Sequence, residues 1–149
     1  SLRAANTLAA RLTQTYGKPL DAPTGTLTNR FPTADMLADA TFEGIGLTTS
    51  RQRSVRAAAA AHASGELVLD PSADRDETRT RLLALPGVGP WTAEYVAMRA
   101  LGDPDAFPGS DLVLGRRVDA ARAERWRPWR AYAAMHIWTE FLETTEAQP

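Results

Sequence analysis

The stretch Leu82-Leu83-Ala84-Leu85-Pro86-Gly87-Val88-Gly89-Pro90-Trp91-Thr92-Ala93-Glu94-Tyr95 gathers residue types suited to holding an anion. It reads as the end of one helix, a tight Gly-x-Gly turn, and a second helix opening at Pro90. Proline suits the first helical position, where its missing N–H would have had no partner. Gly87 and Gly89 let the backbone turn sharply and approach a ligand closely. The free N–H groups at the start of the second helix form an anion site. The turn holds no Lys or Arg, so a phosphate there would be held by backbone amides. Taken alone, the same residues equally describe an ordinary helix–helix corner. Further on, Asp111 sits between the loop Phe107-Pro108-Gly109-Ser110 and the apolar run Leu112-Val113-Leu114. Its carboxylate can cap the helix that follows or, held in place, act on a reacting centre. Trp91 and Tyr95 are four residues apart and share a helix face. Helical aromatics of this kind pack a core or line a pocket.

The elements that must position these residues are helices joined by short loops. Leu2, Ala5, Leu8, Leu12 and Tyr16 recur at helical spacing, and Gly17 can cap the end. A loop is expected through Lys18–Arg30, which contains Pro19 and Pro23. Thr33 is placed to cap a short helix carrying Met36 and Leu37. Phe42–Leu47 reads as a brief helical turn entering a glycine turn. Thr49 or Ser50 caps a helix through the alanines at 57–61, ending near Gly65. A helix from about Asp74 feeds the hairpin, and its second helix runs from Pro90 to about Leu101, with Gly102 past its end. The hairpin therefore spans 75–101, and the loop 103–111 leads to Asp111. The last helix is expected from Pro128 to about residue 142, with Trp129, Tyr132, Ala133, Ala134, Met135, Ile137 and Trp138. It is apolar nearly all round, so it should be buried or line a pocket. There is no alternating strand pattern and no internal repeat. The expected fold class is all-α, one domain over 1–149 around one core.

Composition sets limits on function. The chain has 149 residues, of which 44% are hydrophobic, enough for one domain with a sizeable core. No apolar span is long enough to predict a transmembrane helix, and Ser1–Asn6 has no apolar signal-peptide core. An intracellular location fits. Cysteine is absent, which removes disulfides, a cysteine-ligated zinc and an iron–sulfur cluster. With 17 basic and 18 acidic residues the net charge is −1, which argues against bulk electrostatic binding to DNA. Local basic patches remain: Arg51, Arg53 and Arg56; Arg116 and Arg117; and Arg125, Arg127 and Arg130 around Trp126 and Trp129. Any single one of these arginines reads best as a solvated helix face. His62 is expected exposed in its alanine-rich helix, and His136 hydrogen-bonded in a core. Two histidines give no support for a zinc site or a Ser–His–Asp triad.

The segment Leu85-Pro86-Gly87-Val88-Gly89-Pro90-Trp91-Thr92-Ala93 resembles the helix-hairpin-helix of the DNA glycosylase superfamily. The Gly/Pro-rich loop with Asp111 resembles its second half. Trp126-Arg127-Pro128-Trp129-Arg130-Ala131-Tyr132, followed by His136-Ile137-Trp138, narrows the resemblance to the DNA-3-methyladenine glycosylase II branch, which removes alkylated bases. The resemblance covers nearly the whole chain. The hairpin alone occurs in many DNA-binding proteins; together with the aspartate and the tryptophan-rich last helix it is highly specific.

The resemblance implies an N-glycosylase acting in base excision repair on double-stranded DNA that contains alkylated bases. The target nucleotide is flipped out of the duplex, which costs a few kcal/mol. The C1′–N bond then breaks as positive charge develops on the sugar. Asp111 matches the family's catalytic aspartate, which stabilises that charge and orients or deprotonates water. Trp91, Tyr95 and Trp138 fall at the base pocket, and Gly87, Val88, Gly89 and Thr92 at the DNA backbone. Alkylation at N3 or N7 makes a purine cationic, and a cation over an aromatic face gains about 0.5–2 kcal/mol. Such a base already leaves easily and needs no acid. Relatives that cut the DNA strand carry a Schiff-base lysine where Trp91 stands, so a single-function enzyme is implied. No cofactor is required, although backbone carbonyls of Leu83, Leu85 and Val88 match positions that hold a structural monovalent or divalent cation in the family. A monomer is expected.

Two features predict a fragment of a longer protein. The first helix begins at once, and the family's N-terminal sheet domain is absent. The family's base-displacing wedge lies just before the segment matching Ser1-Leu2. The stretch Arg116–Glu124 is also shorter than the family's connection. The rival reading is a non-enzymatic helix-hairpin-helix module that only holds DNA or a protein partner, which would need neither Asp111 nor the aromatic set.

Overall fold

The computed structural model describes residues 2–146. Ser1, which opens the segment expected just after the wedge, lies outside them. The chain divides into two compact units. One takes the chain through Leu67 together with Leu85–Gly87, and the other takes Val68–Ala84 and the chain from Val88 onward.

In the first unit, α1 (Leu2–Tyr16) ends where its apolar spacing ends. Gly17 closes it by allowing close approach: its N–H donates to the Thr13 carbonyl at 2.9 Å, and a Cβ would collide with the carbonyl oxygens of Thr13 and Arg30. The segment expected as a loop forms a hairpin instead, β1 (Pro19–Thr24) antiparallel to β2 (Leu27–Asn29), with Pro19 opposite Asn29 and Thr24 opposite Leu27. Most of its residues are exposed on both faces, so burial imposes no apolar alternation that the sequence could display. This hairpin is the departure from an otherwise helical fold among the described residues.

Thr33 stands at the N-cap of α2 (Ala34–Ala38), but its side chain makes no capping bond. The cap of α3 (Thr49–Ala63) is Thr48, one residue before the expected pair; its hydroxyl accepts the Arg51 N–H at 3.4 Å. Between these helices the expected helical turn is absent. Phe42 has φ +60°, which ends any helical path there. Its surroundings hold it in that conformation. The ring is 1% exposed, the Tyr16 hydroxyl accepts its N–H at 2.9 Å, and the Tyr16 ring meets it edge-on at 6.0 Å. Leu12, Leu37, Ile45 and Ala59 complete this core.

The second unit contains α4 (Arg75–Ala84), α5 (Pro90–Arg99), α6 (Leu114–Arg117), α7 (Ala120–Glu124) and α8 (Arg130–Glu146). Asp74 opens α4 as expected, its carboxylate accepting the N–H groups of Asp76 and Glu77 at 3.0 and 2.8 Å. Pro90 is the first residue of α5, whose cap is Ala100, and Gly102 follows at φ +62°. The core is built from small residues: Ala97, Ala106 and Ala131 with Met98 and Leu101, and Trp138 packed at its edge.

The last helix departs from expectation in two ways. It starts at Arg130, not Pro128, and it is not buried all round. Only Ala131 and Ala134 are fully covered, while Trp129, Tyr132 and Met135 are 58%, 65% and 37% exposed. The short side chains at the covered positions set which face packs; Tyr132 and Met135, with Trp129 just before the helix, stay outside, while Ile137 and Trp138 are half-buried. His136, expected in a core, is exposed on this helix, as is His62 on α3. No helix among the described residues is long and apolar enough to cross a membrane.

Candidate active site

The hairpin turn places Gly87 at φ +75°, and a Cβ there would collide with the Ser54 hydroxyl. The positive φ makes glycine the residue for this position, whereas the Ser54 hydroxyl could rotate aside. Gly89 differs: it is the N-cap of α5 with φ −102° and ψ 178°, and an added Cβ would meet nothing within 4 Å. Trp91 and Thr92 follow in the first turn of α5, where N–H groups have no intrahelical acceptor. Leu83 lies in the last turn of α4, and Leu85 and Val88 flank the two turn residues.

On α5, Trp91 and Tyr95 share a face, as their spacing predicts. Their rings stack with centroids 5.2 Å apart and planes 10° apart. Trp138 from α8 joins them, its ring 6.1 Å from Tyr95 and tilted by 52°. The three aromatics named from sequence therefore form one cluster. Trp91 and Tyr95 keep 39% and 37% of their surface exposed. Because these two rings face each other, a planar ligand must use an outer face or an edge of the cluster.

Asp111 is fastened inside this cluster. One carboxylate oxygen, Oδ1, accepts the backbone N–H groups of Val113 and Leu114 at 2.9 and 3.2 Å and the Trp138 indole N–H at 2.9 Å. The other, Oδ2, accepts the Trp91 indole N–H at 3.1 Å. The two sequence readings of Asp111 thus meet in one side chain: it caps the turn leading into α6 and it stands against the aromatic pocket. Burial pushes the carboxyl pKa up, but the indole and backbone donors outweigh it and hold the group below the usual carboxylate range. Such a group is a fixed negative charge and a weak base. The indole bonds were not legible from spacing, since Trp91 and Trp138 were read only for their π faces.

A second network was missed entirely. Arg79 on α4 donates through Nε to Glu94 Oε1 at 2.9 Å and pairs with Asp103 through Nη2, while Nη1 lies 3.6 Å from Asp76. Glu94 Oε2 accepts the N–H of Phe107 at 2.9 Å. Beside it, Arg130 makes a two-point bond to Asp105 at 2.8 and 2.9 Å, and Arg127 pairs with Asp105 and Glu124. The basic cluster 125–130 is therefore not an open phosphate patch: Arg127 and Arg130 are neutralised by acids within the same unit. A cavity of about 440 Å³ opens over this network rather than at Asp111. Its charges already pair with one another, so the chemistry is better placed at the carboxylate held by the indoles.

No family model matches the chain. A Mycobacterium tuberculosis protein named as a probable bifunctional transcriptional activator/DNA repair enzyme AlkA is 47% identical over 150 residues, covering 93% of this chain and 30% of that protein. DNA-3-methyladenine glycosylase 2 of Escherichia coli K12 is 34% identical over 158 residues, covering 99% of this chain and 55% of that protein. The chain thus spans less than two thirds of the length of these relatives. Among solved structures, a Clostridium acetobutylicum 8-oxoguanine glycosylase/lyase bound to double-stranded DNA superposes with a TM-score of 0.80 at 21% identity, over 97% of this chain and 56% of that one. That likeness shows the fold.

The Asp111 geometry predicts a pH signature. A carboxyl whose folded pKa is depressed contributes stability above the unfolded value, about 3.9, and that contribution is lost as pH falls through the folded value. Trp138→Phe keeps an aromatic ring and removes one donor. It should raise the Asp111 pKa, and the stability that it costs, about 1 kcal/mol at pH 7, should fall away as pH drops through the folded value. Carboxyl NMR titration measures the pKa and urea unfolding across acid pH the stability; an unchanged Asp111 titration would mean that the indole bond contributes nothing.

Proposed function

We propose that this chain, which belongs to the DNA-3-methyladenine glycosylase II branch of the helix-hairpin-helix DNA glycosylases, carries the active site for hydrolysing the N-glycosidic bond of alkylated purines in duplex DNA. The observation that carries this reading is the ionised Asp111 carboxylate held by four N–H donors within an aromatic cluster. Capping alone would need only the Val113 and Leu114 bonds, whereas the two indole donors place the charge against the aromatic pocket.

In this reading Asp111 supplies fixed negative charge beside C1′ as the oxocarbenium develops, in a place where reorganisation is already complete. Its lowered pKa favours that role over taking a proton from water. The flipped base, cationic at N3 or N7, rests on an outer face of the Trp91–Tyr95–Trp138 cluster. The gain of about 0.5–2 kcal/mol is roughly one decade of selectivity. The rest comes from the leaving group, because a cationic purine departs without a general acid. Gly87, Val88, Gly89 and Thr92 present backbone N–H groups to the phosphates, which positions DNA without reading sequence. The enzyme works as a monomer and needs no cofactor. The carbonyls of Leu83, Leu85 and Val88 are neutral oxygen donors suited to a hard cation, which would stiffen the turn. Trp91 cannot form an imine, so excision leaves an intact abasic strand.

Asp111→Asn should abolish single-turnover excision of 3-methyladenine, with affinity for duplex changed by no more than about twofold, since it removes charge at nearly constant shape. Near-normal excision by that variant would remove Asp111 from the mechanism. Gly89→Ala leaves the fold undisturbed, since its Cβ enters open space. It should nevertheless weaken binding to undamaged duplex for every sequence; unchanged affinity would show that this backbone does not approach phosphate. Borohydride treatment during excision should trap no protein–DNA adduct, and an adduct mapped to this chain would show a lyase amine at work.

A further inference from the structure

We propose that Arg79 and Glu94 are positioning residues that set where the Asp111 carboxylate stands, by anchoring the loop that delivers it. The proposal rests on the glycosylase reading above. Helix α5 supplies Trp91 and Tyr95 to the site directly, whereas Glu94 on the same helix reaches the loop after it. Its two oxygens do separate things: Oε1 accepts Arg79 Nε at 2.9 Å and Oε2 accepts the Phe107 N–H at 2.9 Å. The same guanidinium pairs with Asp103, at the start of the loop. Asp103 is fastened in turn, its N–H donating to the Ala97 carbonyl at 3.1 Å and its carboxylate accepting the Asp105 N–H at 2.9 Å. Arg79 and Glu94 together therefore tie two points of the loop, 103 and 107, to helices α4 and α5.

From Phe107 onward the geometry passes to Asp111 in two short steps. Gly109 N–H donates to the Phe107 carbonyl and Asp111 N–H to the Pro108 carbonyl, both at 2.8 Å, and Pro108 is fully buried. The loop itself has no helix or strand to hold it. These bonds act with the burial of Ala106 and Pro108 and the Arg130–Asp105 pair to order it against the conformational entropy of the chain. The side chains of Arg79, Glu94 and Asp103 are 20%, 27% and 9% exposed, so solvent screens the network only in part. The planar guanidinium can meet Glu94 and Asp103 in different directions at once, which the single ammonium of a lysine cannot reproduce.

The test uses Arg79→Met, Arg79→Lys and Glu94→Gln in the full-length protein. Single-turnover excision of 7-methylguanine and hypoxanthine is measured alongside affinity for undamaged duplex. A misplacement of about 1 Å can cost on the order of 100-fold in rate. Arg79→Met should therefore slow excision about 10- to 100-fold, with affinity within about twofold of wild type. Arg79→Lys should recover only part of the rate. Hydrogen exchange at the Phe107 amide should quicken in Arg79→Met and Glu94→Gln, while mid-helix amides of α5 keep their protection. Glu94→Gln, close in shape to the native residue, carries the test if Arg79→Met does not fold. Wild-type protein that excised neither these bases nor 3-methyladenine would overturn the glycosylase reading and this proposal with it. Normal excision in a folded Arg79→Met or Glu94→Gln variant, or exchange at the Phe107 amide that quickens in neither, would overturn the proposal alone.

Discussion

A carboxylate partly withdrawn from water must be given N–H donors, and in this protein that requirement organises the second compact unit. Asp111 takes two donors from its own turn, one from α5 and one from α8. The donors on α5 and α8 are indoles, so each helix must approach with a tryptophan at one particular position. A bond to an ionised acceptor is stronger than a neutral one, and a lost donor leaves charge incompletely solvated. The packing of Ala97, Ala106 and Ala131 is consistent with that demand: side chains this small let backbone segments come close enough for both indoles to reach one carboxylate.

The distribution of charge follows a similar logic. A net charge of −1 leaves little long-range attraction for DNA. Arginines that might have formed a basic face are instead spent inside the unit, Arg79 on Glu94 and Asp103, Arg127 and Arg130 on Asp105 and Glu124. The pairs of Arg79 with Glu94 and Asp103, and of Arg127 and Arg130 with Asp105, join positions 15 to 25 residues apart, which is where a partly buried ion pair has most structural effect. An anionic partner can use the hairpin's backbone, whose N–H groups carry no counter-charge and demand no particular side chain.

Much of this was legible in the chain, and the failures share a cause. The hairpin, the start of α4 at Asp74 and the opening of α5 at Pro90 depend on local chemistry, caps and fixed φ angles, which residue types report directly. The Trp91–Tyr95 pair was legible because the two residues lie one helical turn apart, whereas Trp138 joins them only through the family resemblance. The β-hairpin at 19–29 was hidden because its strands bury almost nothing. Phe42 was read as helical because its left-handed backbone depends on Tyr16, which is 26 residues away. The Arg79–Glu94–Asp103 network was invisible for the same reason: its members are spaced 15 and 24 residues apart and look, one by one, like solvated helix charges. The burial of α8 was overestimated because periodicity counts apolar residues without knowing that two alanines are the ones that pack.

The choice of tryptophan at 91 and 138 follows from a side chain asked to do two things. Phenylalanine would offer a π face for a flat cationic base but no donor. Tyrosine would offer a hydroxyl that is itself an acceptor and, near a carboxylate, a group whose own proton is shared. An indole N–H donates only, stays protonated and sits on the rim of the largest aromatic face available. With its edge turned to Asp111, each indole keeps its plane for stacking. The stacking of Trp91 on Tyr95 then fixes the plane of the first indole, so the donor cannot swing away from Oδ2 without breaking the ring contact. Recognition and positioning are in this way coupled in one rigid group, and a change made for the sake of the base must also be felt at the carboxylate.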